Sequence, residues 1–170
     1  MNRHVLFGVV ASFLLLSAPV RAGAGSGNAA AGFEKLKSIA GVWETKDHEG
    51  KPVTVTYEVV SGGSAVMETI QHDTGADMVT VYHLDGDRLM MTHYCALGNQ
   101  PRMKAGRIPD GEVKEIRFSF TGATNMKKND PHMHGMVISF VTEQHVHAVW
   151  SLYEKGRLKY DVAFELAPKP

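Results

Sequence analysis

The sequence predicts an all-β protein: a single antiparallel up-and-down β-barrel of about nine or ten strands behind one short N-terminal helix. Three observations predict it. From Trp43 onward apolar and polar residues alternate with a period of two, as on strands with one buried face. Turn signals interrupt this stretch about every eight to twelve residues, among them His48-Glu49-Gly50, Ser61-Gly62-Gly63, Asp85-Gly86-Asp87, Pro109-Asp110-Gly111 and Glu154-Lys155-Gly156. Helical spacing occurs in one place only, ahead of Trp43, and no internal repeat or change of composition divides the rest.

The first 22 residues read as a signal peptide rather than as part of the fold. Arg3 and His4 give a basic start, residues 5–16 form an apolar run, and Ala22 is a small residue at the expected cleavage site. The run is too short to span a bilayer, and no Cys lies near it to carry a lipid, so no stable membrane anchor is expected. The Gly/Ala/Ser-rich residues 23–32 then read as a flexible spacer, leaving a barrel domain over 33–170. The predicted location is periplasmic or secreted.

In the segment 33–39, Phe33, Leu36 and Ile39 recur at helical spacing, and Gly41 follows as a stop. The strands come next. Val53, Val55, Tyr57 and Val59 alternate with polar neighbours; Ile116, Phe118 and Phe120 share one face; so do Val146, Ala148, Trp150 and Leu152. Between Arg157 and Leu166 the even positions are apolar. These sets are the expected core, because a strand's side chains point alternately to opposite faces.

The same parity places several polar residues inside. Glu68 falls with Val66 and Ile70, His93 and Cys95 fall with Leu89 and Met91, and His132 and His134 fall with Met136, Ile138 and Phe140. His145 and His147 fall opposite the Val146/Trp150 face and are expected outside. Buried polar groups must pair, hydrogen-bond, bind a metal or line a wet cavity. The inner cluster therefore has two readings. It is a satisfied polar network in which Glu68 and His93 bond to each other and to Gln100 or a loop, or it is a ligand site. Imidazole and thiolate suit transition metals, which makes His93, Cys95, His132 and His134 the candidate metal or haem ligands. In the segment 96–103, Gly98-Asn99 and Pro101 are turn residues, while Asn99, Gln100 and Arg102 are placed at the cavity rim, where Arg102 suits an anionic group.

Composition and motifs exclude other classes. Lys plus Arg and Asp plus Glu both number 18, and removing 1–22 takes away Arg3 and Arg21, leaving 16 against 18. No basic field is left to attract nucleic acid. The single Cys95 makes an intrachain disulfide impossible. There is no Gly-x-Ser-x-Gly elbow, phosphate-binding glycine loop or His-Glu-x-x-His helix. Glu68 and His93 are retained as a possible acid–base pair, and no catalytic residue is assigned.

The helix leading into Gly41-Val42-Trp43 and the strand meander after it resemble the calycin-like barrels: lipocalins, fatty-acid-binding proteins and nitrobindin-type barrels. The stretches 61–69, 82–87, 92–103 and His132-Met133-His134 resemble a group of exported bacterial proteins over nearly the whole chain after the leader. The Gly-rich haem-pocket pattern of the nitrobindin type is missing. The resemblance implies a barrel that holds a small molecule. Its polar contacts are then Glu68, His93, Cys95, His132 and His134, with Asn99, Gln100 and Arg102 at the rim and Tyr57, Phe118, Phe140, Trp150 and Tyr160 as an apolar wall. The oligomeric state is not legible in the sequence.

Overall fold

In the computed structural model, which describes residues 28–73 and 75–170, the chain opens with helix α1 (Ala29–Ser38). The expected signal peptide and residues 23–27 of the expected spacer lie outside the described residues. Residues 29–32, read as spacer, are helical instead. Local chemistry explains the earlier start: the Asn28 side chain accepts a hydrogen bond from the Ala31 N–H at 3.1 Å, and three successive alanines follow the cap.

Ten strands follow among the described residues: β1 (Gly41–Lys46), β2 (Pro52–Val60), β3 (Ala65–His72), β4 (Met78–Asp85), β5 (Arg88–Tyr94), β6 (Gln100–Ala105), β7 (Glu115–Thr124), β8 (His132–Thr142), β9 (His145–Glu154) and β10 (Arg157–Pro168). Each pairs antiparallel with the next, and β10 returns to β1 to close the barrel. The closure is narrow. β1 and β10 share only the pairs Trp43–Pro168 and Glu44–Ala167, whereas β2 and β3 are paired from Val53–His72 to Val60–Ala65.

The helix plugs one end. Phe33, Leu36 and Ile39 are buried, and the Trp43 indole N–H donates to the Ile39 carbonyl at 2.9 Å, joining helix to first strand. Gly32 permits close contact with the connection between β6 and β7, since a Cβ there would lie 2.3 Å from the end of the Ile108 side chain. The Asn28 amide also donates to the Ile108 carbonyl. Apolar burial at this end is what holds so short a helix, which is marginal by itself in water.

Most of the expected inward sets on β2, β7 and β9 are buried, namely Val53, Val55, Tyr57, Ile116, Phe118, Val146, Ala148, Trp150 and Leu152, but Val59 near the end of β2 is exposed and Phe120 is only partly buried. β10 keeps its alternation only near the helix, with Phe164 and Leu166 buried. At the other end Leu158 and Tyr160 are about half exposed, because the ladder shifts register between them and β1 no longer covers this part of β10. Phe140 also differs from its expected place in the ligand wall. It lies at the plugged end, under the Lys35 ammonium.

Candidate functional site

A cavity of about 670 Å³ opens at the end opposite the helix. Ile70, Met78, Met133, Val162 and Phe164 make its apolar wall, and Lys46, Asp47, His48, His72, Tyr160 and Asp161 stand among its polar residues. His93 and Trp150 lie on the same wall and are 1% and 2% exposed. Their rings meet at a tilt of 40° with centroids 4.5 Å apart. Neither the His93 Nε2 nor the Trp150 Nε1 has a hydrogen-bond partner among the described residues. Nearly all buried polar atoms in folded proteins have one; the buried Asn99 Oδ1, away from this cavity, is in the same state.

Behind His93, polar residues continue to Glu68. Thr80 Oγ1 lies 2.9 Å from His93 Nδ1, and Thr80 stands opposite Glu68 on the neighbouring strand. Tyr57 and Tyr82 each donate to one carboxyl oxygen of Glu68 at 2.8 Å. Register explains the convergence: Glu68 on β3 stands directly between Tyr57 on β2 and Thr80 on β4, and Thr80 faces His93 on β5. Burial pushes the Glu68 carboxyl above its ordinary range, and the Tyr57 and Tyr82 hydroxyls pull against that shift. Burial and then the Glu68 charge raise both tyrosines well above theirs. Burial lowers His93 to about 4, so its imidazole is neutral at pH 7.

The expected cluster is thus only partly assembled. Glu68 and His93 are both inside, as parity required, but Thr80 stands between them in place of a direct bond, and Gln100 takes no part. Glu68 is sealed among its hydroxyl partners and is not on the cavity wall, which leaves an acid–base pair of Glu68 and His93 without access to a substrate. Cys95 is half-buried at the β5–β6 turn, where its amide donates to the Asn99 carbonyl; burial raises its thiol, the opposite of activation.

His132 and His134 leave the face expected of them. Ladder β8–β9 shifts register between Met133 and Gly135, and the inserted residue reverses the alternation, so Met133 meets inward-facing Leu152 and lines the cavity while His132 meets Tyr153. The two imidazoles bond to each other, Nε2 to Nδ1, at 3.0 Å; His134 stacks between Phe120 and Tyr153, and His132 packs against Phe120 at a tilt. Burial and then neighbouring His132 lower the His134 pKa. Among the described residues no three His, Cys, Asp or Glu side chains gather as a metal ion requires, so the set His93, Cys95, His132 and His134 is not brought together.

The residues expected at the rim do not line this cavity. Asn99 is buried and donates to the Pro131 carbonyl at 2.9 Å; Gln100 Oε1 accepts from Thr124 and Asn125. Both tie strand ends together. Arg102 is exposed, because Pro101 and Met103 take the inner positions on either side of it. His145 and His147 do lie on the outer face, where both hold the Glu165 carboxylate at 2.6 Å.

Thr80, Tyr82 and Met133 escaped the sequence reading. β4 is apolar at both parities, with Val79 and Val81 opposite Met78 and Tyr82, so its faces cannot be told apart from the sequence. Tyr57 was legible as inward but not as a partner of Glu68, since that pairing depends on which strands are neighbours.

Comparison with known proteins adds fold and little else. No family model matches the chain, and none of the curated proteins matches it. A solved structure does. The crystal structure of a protein of unknown function from the DUF3598 family of Nostoc punctiforme is similar with a TM-score of 0.54 at 10% identity, over 79% of this chain and 49% of that one. The chain thus spans about half the length of this neighbour. At that identity the likeness shows the barrel alone, which is consistent with the calycin-like resemblance.

Proposed function

We propose that this chain is an exported small-molecule-binding protein that takes an apolar ligand into the cavity at the open end of its barrel. One observation carries the reading: a cavity of about 670 Å³ with an apolar wall opens at one end of the barrel, lined in part by the buried His93 and Trp150 rings. Ligand sites are mostly apolar, hold a few placed polar groups, and run from about 300 to 1,000 Å³, a range that includes this cavity. Export rests on the leader-like residues 1–22 alone.

The test is titration of the purified protein with N-phenyl-1-naphthylamine, a neutral dye that brightens in apolar surroundings. Saturable one-to-one binding is expected. Val162→Trp, which places an indole on the cavity wall, abolishes it while the circular dichroism of the barrel is retained. Absence of saturation, or binding that Val162→Trp leaves untouched, overturns the reading.

A second reading rests on His93 itself. A neutral imidazole whose Nδ1 is held and whose Nε2 is bare is also the form that binds haem iron. His93 would hold the iron and the apolar wall would hold the macrocycle. Haem titration of wild type and His93→Gln separates the two readings: a Soret shift lost in the variant supports haem, and an unchanged spectrum rejects it.

A further inference from the structure

We propose that the open end of the barrel docks reversibly on the surface of an anionic lipid bilayer, through an arc of three turns beside the cavity mouth. This surface is independent of what the cavity holds, so it stands or falls apart from the small-molecule reading.

The turns β5–β6, β7–β8 and β9–β10 all lie at the open end, and hydrogen bonds tie them into one arc. The Asn99 side chain donates to the Pro131 carbonyl, the Asn125 side chain to Gln100 Oε1, and the Lys155 amide to the Asn129 carbonyl. Four of the eight large apolar side chains exposed among the described residues stand on it. Tyr94 and Leu97 are at one end, Leu158 and Tyr160 at the other, each about half exposed. Single exposed apolar residues are ordinary, but such a grouping marks a contact surface.

Charge is sorted around the mouth in the same way. On the arc, residues 94–100, 125–131 and 154–161 hold five Lys and Arg against three Asp and Glu. All three acids are already engaged: Asp130 accepts from the Lys127 amide, Glu154 pairs with Lys159, and Asp161 accepts from the Ser151 hydroxyl. Lys127, Lys128, Lys155 and Arg157 are exposed and take part in no ion pair among the described residues. Across the mouth, residues 46–51 and 72–77 hold two Lys against four Asp and Glu. A chain with balanced charges thus gathers its free cations beside its exposed Tyr and Leu.

That combination fits a bilayer surface better than an apolar patch or a basic patch would alone. Leu and Tyr seat among headgroups, Tyr keeping its hydroxyl in water, while Lys and Arg stems lie along the apolar surface and their charges reach lipid phosphates. Each such cation raises partition onto anionic lipid about fivefold. The arc is also continuous with the cavity. Five successive residues, Tyr160 to Phe164, line it, so the edge of β10 and not one face alone borders the space.

Co-sedimentation of the full chain with vesicles tests this, comparing phosphatidylcholine alone with a phosphatidylcholine–phosphatidylglycerol mixture. Partition onto the mixture is expected to be about tenfold stronger or more, and to weaken as salt is added. Lys155→Gln/Arg157→Gln should lower it about tenfold, whereas Lys104→Gln/Arg107→Gln, which removes the same charge away from the arc, should change it less than about twofold. Leu158→Ser/Tyr160→Ser keeps every charge and should also weaken partition several-fold, with circular dichroism confirming the barrel in each variant. Equal partition onto the two vesicle types overturns the proposal. So does an equal loss in the two charge variants, which would mark a diffuse attraction, or full retention in Leu158→Ser/Tyr160→Ser. Dye binding in the cavity is measured separately, so either reading can fail without the other.

Discussion

His93 couples the stability of the barrel to pH through a sign that can be stated in advance. Its folded-state pKa is about 4, below the ordinary 6.5, because burial disfavours the charged ring. The unfolded chain therefore takes up the proton first. Stability from this group is complete above pH 6.5 and is lost as pH falls toward 4, by about 3 kcal/mol at 1.36 kcal/mol per pKa unit. Urea titrations should show the difference between wild type and His93→Gln growing by that order from pH 4 to 6.5. Glu68 works in the opposite sense, since its raised pKa makes ionisation unfavourable in the fold, and its contribution declines as pH rises past the ordinary carboxyl range. Tyr57→Phe deletes one of the carboxylate's donors, and a loss of about 1.5–3 kcal/mol is expected for a hydrogen bond to a charged acceptor. In a Glu68→Gln background the same change should cost less, because the two residues share one interaction. Equal costs in both backgrounds would show that the carboxylate does not depend on Tyr57.

At the scale of the element, α1 stands out because it is ten residues long and survives only as a plug. Leu36 is fully buried at its centre, against the barrel end. Leu36→Ala should cost about 2–5 kcal/mol, the range for emptying a buried aliphatic site, read as a lowered urea midpoint. A loss below about 1 kcal/mol would mean that the helix is not coupled to the barrel. Strand β8 carries the opposite lesson. One inserted residue between Met133 and Gly135 exchanges a histidine for a methionine at the cavity wall. Bulges reassign side chains in this way because alternation has no tolerance for an odd insertion.

Across the whole molecule the weakest seam and the cavity coincide. The β1–β10 ladder has two residue pairs, and the part of β10 that leaves β1 is the part that lines the cavity, from Tyr160 to Phe164. Opening there breaks the fewest hydrogen bonds of any ladder in the barrel. Hydrogen exchange should therefore find the amides of β1 less protected than those of β8 and β9, which are paired along nearly their full lengths. A bound ligand that touches Val162 and Phe164 should slow exchange in β10 more than in β6. Uniform protection around the barrel would contradict a seam at β1–β10.

What the sequence determined alone was everything that depends on local periodicity. It specified the helix before Trp43, the strand meander with its turns, and the inward faces of β2, β7 and β9, and it placed Glu68 and His93 inside, because a polar residue in phase with an apolar set has nowhere else to point. Tertiary structure decided the partners. That Thr80 stands between Glu68 and His93, that Tyr57 and Tyr82 share the carboxylate, and that Trp150 lies against His93 all follow from cross-strand register. The displacement of His132 and His134 and the exposure of Leu158 and Tyr160 follow from register shifts. The physical reason is range: alternation is set by each residue's immediate neighbours along the chain, whereas register, bulges and the closure of a barrel are settled by contacts between segments far apart in sequence.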